Sequence, residues 1–408
     1  MSGRLSICFV SPHAMGAILQ TGPVPPPTND AGRIGGAELQ QAIVGRELAR
    51  RGHRVTFLVA DPGGLDSPDP VPETLGGIRV IAYAGPRAPE TGASTAPDSG
   101  KGWRIAREAA LLLRAILRAE ADVYSVRSNH LCAVTVAGIC RMLRKPFVFA
   151  AGHDGNCDPE RAHHPLNPMV AVSYAAALRG ASAVVAQGET QRDLIERNFG
   201  AKARVIPSAI RPMDPPAPGP REGVLWVGSI EPRKGPDRAL EVASALPGVR
   251  FTMVGGGVRG GWHDEVAARA SALPNVSWLG PQAHHGTLGL FDRAALYLNT
   301  SRSEGFPNTF LEAWMRGAPV VSMDIDPDGC LARHGMGLTT GGVGETAQGI
   351  LDLIGDPRRR DAMARAARFF AESRHGIDSV ADAWEDLLAD AALAGGSRGA
   401  AVASAGCR

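Results

Sequence analysis

The amino-acid sequence predicts an α/β protein of two Rossmann-like domains facing each other across a cleft. Three observations carry that prediction. Short β-type runs bounded by turn residues alternate with helical stretches along the chain, which is the sequence form of βαβ units and parallel sheets. At 408 residues the chain exceeds one ordinary core and suits two domains of roughly 200 residues each. The alternation is broken once, by the stretch Arg211 to Gly223, which holds five prolines and little to bury, and then it restarts.

The first run, "LSICFVSP", follows a single charge and leads into a Pro/Gly-rich loop from His13 to Arg33, so it reads as an opening strand and not as a signal peptide. A helix opens directly after Gly35 and Gly36. Leu39, Ala42, Ile43 and Ala49 fall near one of its faces, with Glu38, Gln41 and Arg46 opposite, and Gly52 stops it before the strand "RVTFLVA". "GIRVIAYAG", a helix from about Trp103 to Ala121, "ADVYSVRS", "KPFVFAAG", "ASAVVAQG" and "ARVIPSAI" complete a first domain over 1–210. After the linker 211–223, "GVLWVGSI", "VRFTMVGGG", "NVSWLGP", "ALYLNTS" and "APVVSMDI" alternate with helices in a second domain over 224–375. A helix over 376–393 follows, and the small, polar tail 394–408 is expected to be disordered. Open parallel sheets bind ligands at the carboxyl ends of their strands, so chemistry is expected there.

Lysine and arginine number 43 against 41 acidic residues, a net charge of +2 that argues against a nucleic-acid partner. Cys8, Cys132, Cys140, Cys157, Cys330 and Cys407 are scattered without a CxxC pair, which fits core thiols in a reducing compartment. The longest uncharged apolar run, Leu131 to Cys140, is about half of what a membrane crossing needs. A soluble or peripheral protein is expected.

Two stretches of the second half carry chemistry. In "SEGFPNTFLEAW", Glu304 ends a strand, Gly305, Phe306 and Pro307 turn, Asn308 is the expected N-cap, and Glu312 lies one turn into a helix that Gly317 stops. The free amides and positive dipole end of that helix favour a phosphate or pyrophosphate, and acids on either side could accept from sugar hydroxyls. On spacing alone, a solvated first-turn acid and a loop acid explain the pair equally well. In "VLWVGSIEPRKGPDRAL", Arg233 and Lys234 precede Gly235, with Pro236 at the first position of a helix, which makes a second anion site at a strand end.

Together with Gly35-Gly36, these two motifs resemble the retaining family 4 glycosyltransferases of GT-B fold (glycosyl transferases group 1), from Leu5 to about Leu388. The resemblance implies an acceptor held mainly by the N-terminal domain, a nucleoside-diphosphate sugar held mainly by the C-terminal one, and a last helix that crosses back. It implies donor binding by Gly35, Gly36, Arg233, Lys234, Glu304, Gly305, Phe306, Pro307, Asn308 and Glu312. Glu304 would contact the donor sugar, Glu312 the ribose, and Lys234 the diphosphate, while the Gly35-Gly36 loop would approach that diphosphate from the other domain. The family often has Gly-Arg-Leu where this chain has Gly228-Ser229-Ile230, so Arg233 is the candidate replacement for the missing arginine.

The resemblance, in which a histidine near this place lies beside the donor sugar, makes His153, just past a strand end, a catalytic candidate with Glu304 and Lys234, for acceptor positioning or proton handling; a cleft-wall histidine is the equal alternative. The set His153, Asp154, Cys157, Asp158, His163 and His164 matches no zinc pattern, and the Asp324-Ile325-Asp326 tripeptide sits in a half that does not need it, so no metal or other cofactor is expected. "KGWRIAREAALLLRAILRAEAD" is basic and amphipathic; packing on the sheet is favoured over lying on an anionic membrane. The expected activity is transfer of a hexose-type unit to the hydroxyl of a sugar or lipid-linked acceptor; that it is retaining, and that it serves polysaccharide or glycolipid biosynthesis, is what the resemblance implies. It would take place in the cytoplasm or at the inner face of the cytoplasmic membrane. The alternatives are a nucleotide-sugar epimerase of the same fold and a silent nucleotide-sugar-binding subunit.

Overall fold

The computed structural model describes residues 3–21, 35–61, 74–84, 101–161, 167–216, 219–257 and 260–405. They fall into two compact units. One comprises Met1–Gln187, Gln191–Ala209 and Ile377–Arg408, the other Gly188–Thr190 and Ile210–Gly376.

The first unit runs β1 (Ser6–Val10), α1 (Met15–Gln20), α2 (Gly36–Arg50), β2 (Arg54–Asp61), β3 (Thr74–Leu75), β4 (Ile78–Ala84), α3 (Lys101–Ala119), β5 (Val123–Arg127), α4 (His130–Met142), β6 (Phe147–Ala150), α5 (Pro168–Gly180), β7 (Ala183–Ala186), α6 (Glu189–Phe199) and β8 (Arg204–Val205). Its sheet has the order β3-β4-β2-β1-β5-β6-β7-β8, parallel except for the β3–β4 hairpin. Central strands buried on both faces need apolar side chains on both, and β1 and β5 are buried at every position. The chain leaves β1 toward β2 and β4, then returns to β5 on the other side of β1, so the order reverses between β1 and β5. The short helix α1 lies within the stretch read as a loop from His13; residues 22–34 of that stretch are outside the described residues.

In the second unit, β9 (Val224–Val227), α7 (Pro236–Ala245), β10 (Phe251–Val254), α8 (Trp262–Ser271), β11 (Val276–Trp278), α9 (His284–Arg293), β12 (Leu296–Asn299), α10 (Asn308–Met315), β13 (Val320–Ser322), α11 (Cys330–Arg333), β14 (Gly337–Thr339), α12 (Val343–Gly355) and α13 (Pro357–His375) follow in order. The sheet order is β11-β10-β9-β12-β13-β14, all parallel, and it reverses between β9 and β12. The two faces are filled by a Trp226-, Leu240- and Phe251-centred core and by one around Tyr297, Phe310 and Trp314. Both units are therefore Rossmann-like, as the alternation predicts.

None of the described linker residues 211–216 and 219–223 is buried, but hydrogen bonds tie the linker to the second unit. Arg368 donates to Met213 O at 2.9 Å, and Arg221 donates to Phe291 O at 3.0 Å and to Arg316 O at 2.5 Å. Arg368 of α13 thus satisfies a linker carbonyl, and Arg221 of the linker satisfies carbonyls of the second unit.

The last helix, α14 (Ile377–Ala405), belongs to the first unit, where Val380, Trp384, Leu387 and Leu388 join the core beneath α2. Arg51 reaches Asp382 and Glu385, both at 2.6 Å, and His53 lies 2.7 Å from the other Glu385 oxygen. The helix extends to Ala405, through much of the stretch expected to be disordered; the alanines there are strong helix formers, and helix propagation from a packed start costs little. In α3, Leu112, Ala115, Ile116 and Ala119 are buried in the core while Arg107, Arg114 and Arg118 stay exposed, so the apolar face packs on the sheet. Among the described residues no helix is long and apolar enough to cross a membrane.

Candidate functional site

The reversal of strand order in the second sheet brings together two loops that are about seventy residues apart in sequence. After β9 the chain passes Gly228-Ser229-Ile230-Glu231, makes a single 3-10 turn at Pro232–Lys234, and enters α7 through Gly235. Gly235 has φ +64°, and a Cβ there would run into the carbonyl of Thr300. Only glycine meets both conditions. Thr300, just after β12, ties the two loops: its hydroxyl bonds Gly235 O at 2.7 Å and Lys234 O at 3.1 Å, and it accepts from Trp226 Nε1 at 2.9 Å. Arg302 N donates to Arg233 O at 2.8 Å, and Arg302 pairs with Asp237 at 2.9 Å.

This strapping sets Lys234 and Arg233 against Glu304. Lys234 Nζ bonds one Glu304 oxygen, and Arg233 Nη1 lies 3.3 Å from the other while also donating to Ser303 O at 3.2 Å. Glu304 is buried, which by itself raises a carboxyl pKa, but the charges of Lys234 and Arg233 outweigh burial and hold it below the ordinary value. The trio carries a net single positive charge. Ser229, at the position of the departure from the family pattern, bonds Glu231, whose carboxylate is 3.9 Å from Arg233 Nε.

Gly305, Phe306 and Pro307 lead from Glu304 into α10. Pro307, not Asn308, holds the cap position, and Asn308 is the first helical residue. The fixed φ of proline suits an extended entry, and the shift moves the boundary by one residue. Thr309, one residue on, accepts from the buried Tyr297 hydroxyl at 2.8 Å. The helix ends at Met315, with Gly317 at φ +74° as its stop.

Glu312 points to a different neighbour. Its carboxylate is buried, and burial pushes its pKa up to about 8. His284, the first residue of α9, lies 3.6 Å away through Nδ1. The sequence reading had no place for this histidine, although the pair His284-His285 at a helix start was a visible signal. Glu304 and Glu312 are thus separated by environment: Glu304 is held charged by cations, Glu312 is pushed toward the neutral form.

The ends of β9, β10 and β11 present backbone. Gly255, at φ +155°, has no room for a Cβ beside Gly228 O, while Trp278 Nε1 donates to Gly255 O at 3.0 Å and Gly255 N to Gly280 O at 3.0 Å. The glycine run reflects close backbone approach.

The acidic tripeptide is occupied by structural bonds. Asp324 pairs with Arg238, and Asp326 accepts from Leu331 N at 2.8 Å and Ala332 N at 3.4 Å. Among the described residues no group of three or more His, Cys, Asp or Glu is arranged to hold a metal; His163 and His164 lie outside them.

Gly35, Gly36 and His153 belong to the first unit. Gly35 caps α2 in an extended conformation, and the neighbour that a Cβ would meet is the Glu38 carboxylate, the mobile end of a side chain. His153 is half-buried at the end of β6, opening the turn Asp154–Asn156; Asn156 Oδ1 accepts from His153 N at 3.1 Å, and its ring lies edge-on to His130 with centroids 6.3 Å apart.

Residues 34–212 match the family model Glycosyltransferase Family 4, and residues 221–356 match Glycosyl transferases group 1. The D-inositol 3-phosphate glycosyltransferases of Mycobacterium tuberculosis and Mycobacterium bovis are 35% identical over 182 residues, covering 42% of this chain. The chain spans only 36% of the length of those relatives. Among solved structures, Anabaena HepE in complex with UDP and glucose superposes with a TM-score of 0.69 at 19% identity, over 94% of this chain and 99% of that one. Sucrose-phosphate synthase from Thermosynechococcus elongatus gives a TM-score of 0.73 at 16% identity, over 94% and 98%. These likenesses give the fold, which is GT-B.

Proposed function

The chain belongs to the family 4 glycosyltransferases of GT-B fold, and on that premise we propose that it transfers a sugar from a nucleoside diphosphate sugar to an acceptor hydroxyl with retention of configuration. The observation that carries the reading is the Arg233–Lys234–Glu304 cluster at the strand-order reversal of the second sheet. Its net positive charge and the start of α10 after Pro307 suit a diphosphate. In this reading Lys234 and Arg233 neutralise the leaving diphosphate, and Glu304, held ionised by them, accepts from a hydroxyl of the donor sugar. Gly305 to Asn308 line that sugar, and Glu312 accepts from the ribose.

Stabilising charge on a leaving group in a fixed geometry is the main catalytic contribution such a site can make. The diphosphate oxygen freed on the sugar face then takes the acceptor proton, and His153 is the proposed acceptor-positioning residue. With Lys234 and Arg233 given to the diphosphate, turnover without added metal is the expectation of this reading. The acceptor is proposed to be a sugar or lipid-linked sugar used in polysaccharide or glycolipid assembly at the cytoplasmic membrane. Uridine diphosphate sugars are the first donors to try, because HepE was solved with UDP.

The test is donor turnover in chelator by the purified chain, across uridine, guanosine and adenosine diphosphate sugars, with anomeric configuration of the product read by NMR. Transfer to an added acceptor with retained configuration supports the proposal. Donor rearrangement without an acceptor would favour the epimerase, and nucleotide binding without turnover the silent subunit. A strict requirement for added divalent metal would overturn the assigned roles of the two cations.

A further inference from the structure

We propose that the outer face of α4 and α5, in the first unit, lies on an anionic lipid surface, with the carboxyl-terminal end of α3 adding charge to the contact. The run Leu131 to Cys140, the longest uncharged apolar stretch of the chain, forms most of α4. Ala133, Val136 and Cys140 pack one side of that helix into the core, while Leu131 and Met142 on the other side stay exposed. In α5, Tyr174 and Leu178 are buried, but Met169 and Val172 are 78% and 70% exposed. With Leu117 of α3, these are five of the nine large apolar side chains left exposed among the described residues, so apolar exposure gathers on one face of the first sheet and is not scattered.

Topology makes the face continuous. β5, β6 and β7 are parallel neighbours, so α4 and α5, which follow β5 and β6, lie side by side and run in the same direction. The ring of His130, which opens α4, meets the ring of Tyr174 in α5 edge-on with centroids 4.6 Å apart. Leu131, Met169 and Val172 therefore share the end of the helix pair nearer the carboxyl ends of the strands, with Met142 at the opposite end.

Charge decides what the face meets. Neither α4 nor α5 contains an aspartate or a glutamate. Arg141 and Arg179 in their last turns, with Arg144 just after α4, are exposed at the amino-terminal edge of the sheet. Arg114 and Arg118 of α3 are exposed at the same edge, where Lys145 Nζ donates to Ala121 O at 2.9 Å and so ties the turn after α4 to the turn after α3. Two acids, Glu120 and Asp122, share that edge, and Asp122 accepts from Ser6 N at 2.8 Å. The next helix on this side of the sheet, α6, mixes Glu189, Asp193 and Glu196 with Arg192 and Arg197, as a water-facing helix does. Apolar side chains that sink to headgroup depth, beside arginines that meet lipid phosphates, complement an anionic bilayer. A two-fold contact of this face with a second copy would instead appose arginines with no carboxylate on α4 or α5 to answer them. Among the described residues no helix is long and apolar enough to cross a membrane, so the contact is peripheral.

The inference gives a surface to the membrane placement in the proposed function and rests on it to that extent, but vesicle binding needs no donor, acceptor or turnover, so either reading can fail alone. The full chain is floated with vesicles of equal parts phosphatidylglycerol and phosphatidylcholine, and with vesicles of phosphatidylcholine alone. Flotation is expected with the anionic vesicles and should weaken as salt is raised. Arg118→Gln with Arg141→Gln should lower the partition coefficient about thirtyfold, and Met169→Ser with Val172→Ser about tenfold, each pair keeping the wild-type thermal midpoint and donor binding. Deuterium exchange of the wild-type chain on anionic vesicles should slow in α4 and α5, a readout that stands even if a variant fails to fold. No flotation, equal flotation on neutral vesicles, partition that neither pair changes, or exchange slowed elsewhere and not in α4 and α5 overturns the proposal. A chain that is dimeric in solution and made monomeric by Met169→Ser with Val172→Ser also overturns it, giving the face to a second copy.

Discussion

Replacing Glu312 by glutamine should make donor binding independent of pH, and the reason lies in how the wild-type carboxyl is buried. Burial lifts it to about 8, so near neutral pH only about a tenth of the molecules carry the carboxylate there. If the ribose hydroxyls need that carboxylate as an acceptor, donor affinity rises by about tenfold per pH unit up to about pH 8 and then levels. Binding at about pH 7 then releases close to one proton, measurable by calorimetry in two buffers of different ionisation enthalpy. A nucleoside diphosphate sugar is the right ligand, because its diphosphate does not itself titrate in this range. The same residue governs stability. The native state holds its proton between about 4.5 and about 8, where the unfolded chain does not, so wild-type stability falls as pH rises through that window. The full shift corresponds to about 5 kcal/mol, and an imidazole 3.6 Å away at His284 can return part of it, so a few kcal/mol is expected. Glu312→Gln should therefore be the more stable protein at about pH 9 and lose that advantage below about pH 4.5, as read from urea midpoints. Donor affinity that is flat in pH for wild type, with no proton released, would refute the role given to Glu312.

Three further changes probe the frame around it. Lys234→Ala should lower kcat by about a hundredfold while the chain still folds, because Arg233 continues to face Glu304; turnover equal to wild type would sever the link between this lysine and the leaving group. Gly235→Ala should cost about 2 kcal/mol in a denaturant titration, since it combines positive φ with a clash on Thr300 O, and a neutral result would mean that the loop can re-form elsewhere. Asp326→Ala should remove about 1 kcal/mol by freeing the amides of Leu331 and Ala332, with turnover in chelator unchanged. Metal-dependent turnover lost in Asp326→Ala would restore the acidic tripeptide as a cation site.

Much of the fold was legible because its signals are local. Strands such as Val224–Val227 and Leu296–Asn299 are short apolar runs between turn residues, and the restart after Arg211 to Gly223 marked a second unit. β14 escaped because Gly337–Thr339 is three residues long and begins with glycine. The linker was legible in part: composition shows that Met213 and Asp214 have little to bury, but not that Arg368 and Arg316 come to their carbonyls.

The site was legible in its residue types and not in its pairings. Spacing placed Glu304 at a strand end and Arg233 with Lys234 at another, but which strands are neighbours depends on the reversal between β9 and β12, a property of the whole sheet. Hence the sequence suggested two separate anion contacts, whereas the structure joins the cations to the acid. The same gap hid His284, whose meaning comes only from the α10 residue opposite it, and Arg127, which reads in "VYSVRS" as an ordinary polar strand end. A charged residue closing an apolar strand is exposed only if its strand ends at an open edge of the sheet. At a strand-order reversal it is buried beside a helix start, and its donors must then be answered by a neighbour. For Arg127, the last residue of β5, that neighbour is the Gln187 amide oxygen, which accepts from Nη2 at 2.9 Å with the amide turned to satisfy its surroundings, whereas Arg51 is met by Glu47, Asp382 and Glu385 on packed helices.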